Sequence, residues 1–129
     1  MNQLLATVID IRGVERLKHI KLDVEGYTLD MLSLELDSSI EIGKEVVVSI
    51  KPTHIGIHKS KSISSDNQLR ATIISSTNGE ILSSVRLKID KEVLESIILL
   101  ESYLDMGLDI GDEVEMIINP TKLSIVGVR

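Results

Sequence analysis

Apolar and polar residues alternate along most of the chain, with breaks at glycines and at short polar clusters. Alternation with a period of two is typical of strands that bury one face. Turns are expected at glycines such as Gly43 and Gly111, because glycine adopts a positive φ at little cost. The pattern predicts strands at residues 5–11, 19–24, 27–34, 45–51, 54–58, 70–74, 83–89, 92–99, 113–119 and 123–128.

The second half of the chain repeats the first half. The letters Asn-Gln-Leu, which begin at Asn2, return at Asn67, and both asparagines are expected to hydrogen-bond backbone at a strand start. Ile-Gly-x-Glu-Val at 42–46 returns at 110–114, so the offset grows from 65 to 68 and the second copy holds three additional residues. This constant order indicates a tandem duplication. We predict a first module at 1–59, a polar, serine-rich linker at 60–66 and a second module at 67–129.

Five short strands in each copy predict a mainly β protein made of two tandem, five-stranded barrels. Residues 99–106 depart from the alternation, because their apolar positions follow helical spacing and Gly107 would end a helix there. The three residues missing from the first copy fall in the same region. We therefore predict a short helix before the fourth strand of the second copy, and a shorter helix or none in the first.

The composition narrows the possible functions. The 129 residues include 20 acidic and 14 basic side chains, for a net charge of −6, and only 2% are aromatic. Binders of single-stranded nucleic acid combine a basic groove with aromatic stacking platforms, so no direct nucleic-acid binding is expected. There is no cysteine, no signal-peptide pattern at the start and no apolar run long enough to span a membrane. We expect a cytoplasmic protein that does not contact membranes.

No arrangement of residues points to catalysis. Neither a Ser/His/Asp order nor a paired carboxylate stands out among the acidic residues, so we expect a binding protein and not an enzyme. His54 and His58 lie on one face of a predicted strand, with Gly56 between them, and are conceivable as a metal pair. The pair has no carboxylate or cysteine near it in the sequence, so no metal-cation site is predicted.

The repeated blocks resemble the Mop module, also called the TOBE domain. The resemblance rests on the Asn-Gln-Leu start, on the Ile-Gly-x-Glu-Val block, and on Ile-Lys-Pro-Thr at 50–53, which returns as Ile-Asn-Pro-Thr at 118–121. Two tandem modules are similar to the di-Mop arrangement of the molbindins and of the C-terminal half of ModE-like transcription regulators. The resemblance implies OB-like barrels that exchange strands and assemble into a homo-oligomer, a trimer or a dimer. It also implies molybdate or tungstate as the ligand, held between modules, with no organic cofactor.

The same resemblance implies candidate ligands for the oxyanion. Lys51 matches the family lysine after isoleucine, and Asn119 stands at its position in the second copy. Ser102 matches the serine of a family Thr-x-x-Ser pattern, and Ser33 and Ser38 flank the corresponding stretch of the first copy. Hydroxyls, backbone amides and a lysine suit a tetrahedral dianion, because converging donors offset the cost of removing it from water.

Each of these five residues also has a purely structural interpretation. Lys51 is equally interpreted as a solvated lysine at a strand end. Ser102 and Ser38 are interpreted as helix caps, and Ser33 as a hydroxyl that satisfies a neighbour in the core. Asn119, which precedes a proline, is typical of a turn.

Three functions from different classes follow. The first is intracellular binding of molybdate or tungstate for storage, homeostasis or sensing, in a separate protein or in the ligand-sensing fragment of a ModE-like regulator. The second is a ligand-free regulatory or interaction module, favoured by the lysine lost at Asn119 and by Asp66, which stands where the family has arginine. The third, an oligonucleotide-binding barrel, rests on fold analogy alone, and the composition opposes it.

Overall fold

The computed structural model describes residues 1–60 and 64–129, so residues 61–63 of the predicted linker lie outside the described residues. No helix among the described residues has the length and apolar character needed to cross a membrane. The first half forms β1 (Asn2–Val14), β2 (Leu17–Val24), β3 (Tyr27–Ser33), β4 (Glu45–Ile50), a 3₁₀ turn (Pro52–His54) and β5 (Ile55–His58). The second half forms β6 (Asn67–Asn78), β7 (Leu82–Ile89), β8 (Glu92–Leu99), α1 (Leu100–Asp105), β9 (Glu113–Ile118), a second 3₁₀ turn (Pro120–Lys122) and β10 (Ser124–Val128).

The strands form two five-stranded antiparallel sheets, and each half of the chain contributes its last strand to the sheet of the other half. The first sheet has the order β10-β4-β1-β2-β3, and the second has the order β5-β9-β6-β7-β8. Ile125 of β10 lies opposite Val48 of β4, and Ile57 of β5 lies opposite Met116 of β9. The strand exchange that the family resemblance implies is therefore present, and the sheets do not coincide with the sequence repeats.

The alternation of the sequence buries one face of each sheet, because successive side chains of a strand point to opposite faces. In β1 the buried positions are Asn2, Leu4, Ala6 and Val8, and the equivalent positions of β6 are buried in the same way. All ten predicted strands are present, so the prediction of a mainly β fold is confirmed.

The repeated Ile-Gly-x-Glu-Val block forms the turns that lead into β4 and β9. Its glycines, Gly43 and Gly111, have φ angles of +90° and +92°, a conformation that residues with a Cβ rarely adopt. The Gly43 N–H donates to the Val8 carbonyl at 2.7 Å, and the Gly111 N–H donates to the Ile73 carbonyl at 2.8 Å. Each hydrogen bond joins the turn to β1 or β6, next to the β-bulge of that strand. The Ile-Gly-x-Glu-Val block therefore recurs for a structural reason.

The predicted helix is present as α1, and residues 1–60 contain no α-helix, as the shorter first copy predicts. α1 buries Tyr103, whose hydroxyl lies 2.9 Å from Ser76 Oγ. Where the first half lacks this helix, a groove of about 690 Å³ stays open between the edge strands β3 and β10. The matching edge strands of the second sheet are joined, because the buried Ser96 hydroxyl donates to the Ile55 carbonyl at 2.6 Å.

Two buried asparagines connect the sheets. Asn2 Nδ2 donates to the Glu95 carbonyl at 2.7 Å, and Asn2 Oδ1 accepts from the Glu95 N–H at 2.8 Å. Asn67 makes the same pair of bonds with Asp30, at 2.8 and 2.7 Å. The expected backbone bonding of both asparagines is thus confirmed, and it holds β1 against β8 and β6 against β3.

Candidate functional site

A cavity of about 250 Å³ lies where β4 ends, and both 3₁₀ turns contribute to its walls. β4 ends before Pro52, because proline has no N–H with which to continue the ladder. The second half of the chain reaches this cavity through the strand exchange, which places Ser124 of β10 opposite Ser49 of β4. The cavity is lined by Met1, Ser49, Lys51, His54, Thr121, Lys122 and Ser124.

The cavity is positively charged, although the whole chain has a net charge of −6. Lys51 and Lys122 both line it, and no described lining residue carries a carboxylate. Within residues 1–60 and 64–129, neither lysine forms an ion pair. The hydroxyls of Ser49, which is buried, and Ser124, which is exposed, add neutral donors. This combination can bind a small anion.

Lys51 is the one sequence-predicted site residue that lines this cavity. It precedes the first 3₁₀ turn with extended backbone angles, and its side chain is exposed. The position therefore fits both interpretations, a solvated lysine and an anion ligand.

Asn119, the counterpart of Lys51, is a turn residue in this structure. Its Oδ1 accepts from the Thr121 N–H at 2.9 Å and from the Thr121 hydroxyl at 2.7 Å. Its Nδ2 donates to Asp66 Oδ1 at 3.4 Å. The Asn119 amide therefore bonds within the chain, and the Thr121 hydroxyl proton is used as well.

Ser33 lies in the groove between β3 and β10, next to the cavity. Its hydroxyl donates to the Glu35 carbonyl at 2.9 Å, in an exposed position. The interpretation that this hydroxyl hydrogen-bonds a neighbour in the core is therefore wrong. The groove shares Thr121 and Ser124 with the cavity, but Glu35 and Asp37 line it, and its described lining residues include no lysine or arginine. The Ser39 N–H, which bonds to the Asp37 carboxylate, holds the pKa of Asp37 below its usual value. The groove is thus less suited to an anion than the cavity.

Ser38 and Ser102 lie away from the cavity. Ser38 is exposed in the loop before β4, where no helix exists for it to cap. Ser102 lies inside α1, whose N-cap is Leu99. The helix-cap interpretation is therefore wrong for both serines, and the structure does not bring either of them beside Lys51.

Residues 63–125 match the TOBE domain family. The whole chain also superimposes on the cytoplasmic molybdate-binding protein ModG, solved with molybdate bound, with a TM-score of 0.89. The two share 20% sequence identity over 99% of this chain and 96% of that chain. At this identity the likeness establishes the fold, which is that of ModG. No curated protein sequence matches the chain significantly.

Most of the residues that complete the cavity were not predicted from the sequence. His54 and Lys122 are counterparts in the two copies, and both follow a Pro-Thr pair. That recurrence of a basic residue is a signal in the sequence, but only the pairing of β10 with β4 places both residues at one cavity.

Among the described residues, the histidines do not form a metal centre with acidic residues. His54 lines the cavity, while His58 lines a separate surface pocket with Lys59 and Met106. Across the part of the chain that the structure describes, no three His, Cys, Asp or Glu side chains cluster in a way that could hold a metal ion.

Proposed function

We propose that this chain binds a tetrahedral oxyanion, molybdate or tungstate, in the cytoplasm and serves in its storage, homeostasis or sensing without catalysing a reaction. The observation that carries the proposal is the cavity that combines Lys51 and Lys122 with serine hydroxyls and has no carboxylate among its described lining residues. The TOBE match and the fold of the cytoplasmic molybdate-binding protein ModG support the choice of ligand and compartment.

The chemistry of the cavity suits such a dianion. Removing an anion from water is costly unless donors and positive charge replace its hydration. Lysine provides a compact, strongly hydrated charge with three donors, and the two serine hydroxyls rotate to meet ligand oxygens. A volume of about 250 Å³ lies below the range of about 300–1,000 Å³ that is typical for larger organic ligands. A small inorganic ion therefore fits the size as well as the charge.

We further propose that the chain assembles with copies of itself, as a trimer or a dimer. Two small modules, 1–59 and 67–129, leave many aliphatic side chains exposed, including Leu34, Ile81 and Leu104. Ser33, Ser38, Ser102 and Asn119 lie outside the lining of the cavity. They remain proposed ligands for an anion held at a contact between copies.

Calorimetric titration with molybdate, tungstate and sulfate tests the proposal. We expect saturable binding of the first two ions, with sulfate weaker. Lys51→Met should weaken molybdate binding on the order of tenfold, because one of the two lysine charges is lost. The matched control is Lys44→Met, since Lys44 is exposed at the opposite end of β4, about 20 Å away at the usual rise of a strand. Equal losses in both variants would contradict the placement of the site.

A second candidate, a ligand-free regulatory or interaction module, has one observation in its favour. Asn119 and Asp66 bond to each other where the family has a lysine and an arginine, so the second copy has lost positive charge. Absence of binding heat, together with no thermal stabilisation by any of the three oxyanions, would favour this function over the first.

A further inference from the structure

We infer that Lys122 makes the site selective for dianions over monoanions of the same shape. This inference rests on the proposed oxyanion function and assigns a role to a residue of the second copy. It predicts that the site distinguishes tungstate from perrhenate, which is also a tetrahedral oxyanion of a heavy metal but carries one negative charge instead of two.

Hydrogen bonds fix the backbone of Lys122 at the cavity. The Lys122 N–H donates to the Asn119 carbonyl at 2.9 Å, which closes the second 3₁₀ turn. The Asn119 side chain caps the same turn through two bonds to Thr121. β10 begins two residues later and pairs with β4, so the turn is fixed on both sides. The backbone of Lys122 is thus fixed at the cavity that Lys51 also lines.

Among the described residues, no side chain at the cavity neutralises the charges of its two lysines. No carboxylate lines the cavity within the described residues, and neither lysine has an ion-pair partner there. The bound anion is therefore the group that offsets both positive charges. A site with two such lysines favours a ligand with two negative charges.

The size of the effect follows from the charge of the ligand. A Coulomb energy is proportional to the ligand charge, and an affinity depends exponentially on that energy. Removing one lysine therefore costs a dianion the square of the factor that it costs a monoanion. For example, a roughly threefold loss for perrhenate corresponds to an about ninefold loss for tungstate. A lysine that only shapes the cavity would weaken both ions by the same factor.

The experiment compares tungstate and perrhenate affinities, by calorimetry at fixed pH and ionic strength, in the wild-type chain, Lys122→Met and Lys122→Arg. Lys122 is exposed, so both variants should keep the wild-type thermal midpoint. We expect Lys122→Met to lower the tungstate-to-perrhenate ratio at least threefold, while Lys122→Arg and the control Lys44→Met keep it.

The possible outcomes separate this inference from the proposed function. Wild-type binding of tungstate with an unchanged ratio in Lys122→Met would overturn the inference alone. A ratio that falls equally in Lys122→Met and Lys122→Arg would also overturn it, because the charge would then not be the cause. Failure of the wild-type chain to bind any oxyanion would overturn both.

Discussion

Truncation of Asn67 tests how the two sheets are held together. Asn67 is 5% exposed, and its amide makes two hydrogen bonds of 2.7 and 2.8 Å with the backbone of Asp30. Asn67→Ala leaves that N–H and that carbonyl without their partner in a partly buried position. Each unsatisfied group costs about 1–3 kcal/mol, and partial access of water favours the lower part of the range. We therefore expect Asn67→Ala to lower the free energy of unfolding by about 2–4 kcal/mol, measured by urea denaturation.

Two further variants separate the hydrogen bonds from the loss of volume. Asn67→Asp keeps the size of the side chain and an acceptor for the Asp30 N–H, but it places a carboxylate oxygen against the Asp30 carbonyl. It should destabilise the chain at least as much as Asn67→Ala. Gln3→Ala, at an exposed position of β1, is the control and should change stability by less than about 0.5 kcal/mol. A loss below about 1 kcal/mol in both Asn67 variants would refute the reasoning.

Two other predictions concern a charged turn and a buried hydroxyl. A hydrogen bond with Asp90 raises the pKa of Glu25 above its ordinary 4.5. The protonated Glu25 therefore stabilises the folded chain, and this contribution is fully present below pH 4.5. It is lost as the pH rises through the raised pKa. Glu25→Gln should therefore raise the thermal midpoint at pH 7 and lose this advantage below pH 4.5; an advantage independent of pH would contradict the sign. Ser96→Ala removes the buried hydrogen bond to the Ile55 carbonyl. It should lower the free energy of unfolding, measured in urea, by about 1–2 kcal/mol. No loss of stability would show that β5 and β8 are held together by packing alone.

The alternation of apolar and polar residues was sufficient to predict that the strands exist, but not how long they are. β1 runs to Val14 and β6 runs to Asn78, beyond the predicted ends at 11 and 74. The added residues of β6 are Ser, Ser, Thr and Asn, which pair with β7 while largely facing solvent. Alternation reports burial on one face, so it cannot mark the part of a hairpin where that burial ends.

The helix was predictable for a different reason. Its apolar spacing is local, and Tyr103 is the side chain that this spacing buries. The comparison between the two copies also predicted that the first half, which is three residues shorter, has a shorter helix or none.

The composition of the candidate site was only partly predictable. Lys51 could be found because its motif is continuous in sequence. Lys122 and Ser124 are about 70 residues away and reach the cavity only because β10 pairs with β4 instead of with its own copy. Nothing in the local sequence distinguishes an exchanged strand from one that stays in its own sheet, since both carry the same alternation.

The most direct test of the central claim is a crystal structure of the chain soaked with tungstate, with anomalous scattering used to locate tungsten. We expect a tungsten peak in the cavity between β4 and the second 3₁₀ turn, placed so that oxygens of tungstate lie within hydrogen-bonding reach of Lys51 Nζ and Lys122 Nζ. Tungsten found only elsewhere on the chain, or no peak at a saturating concentration, would contradict it.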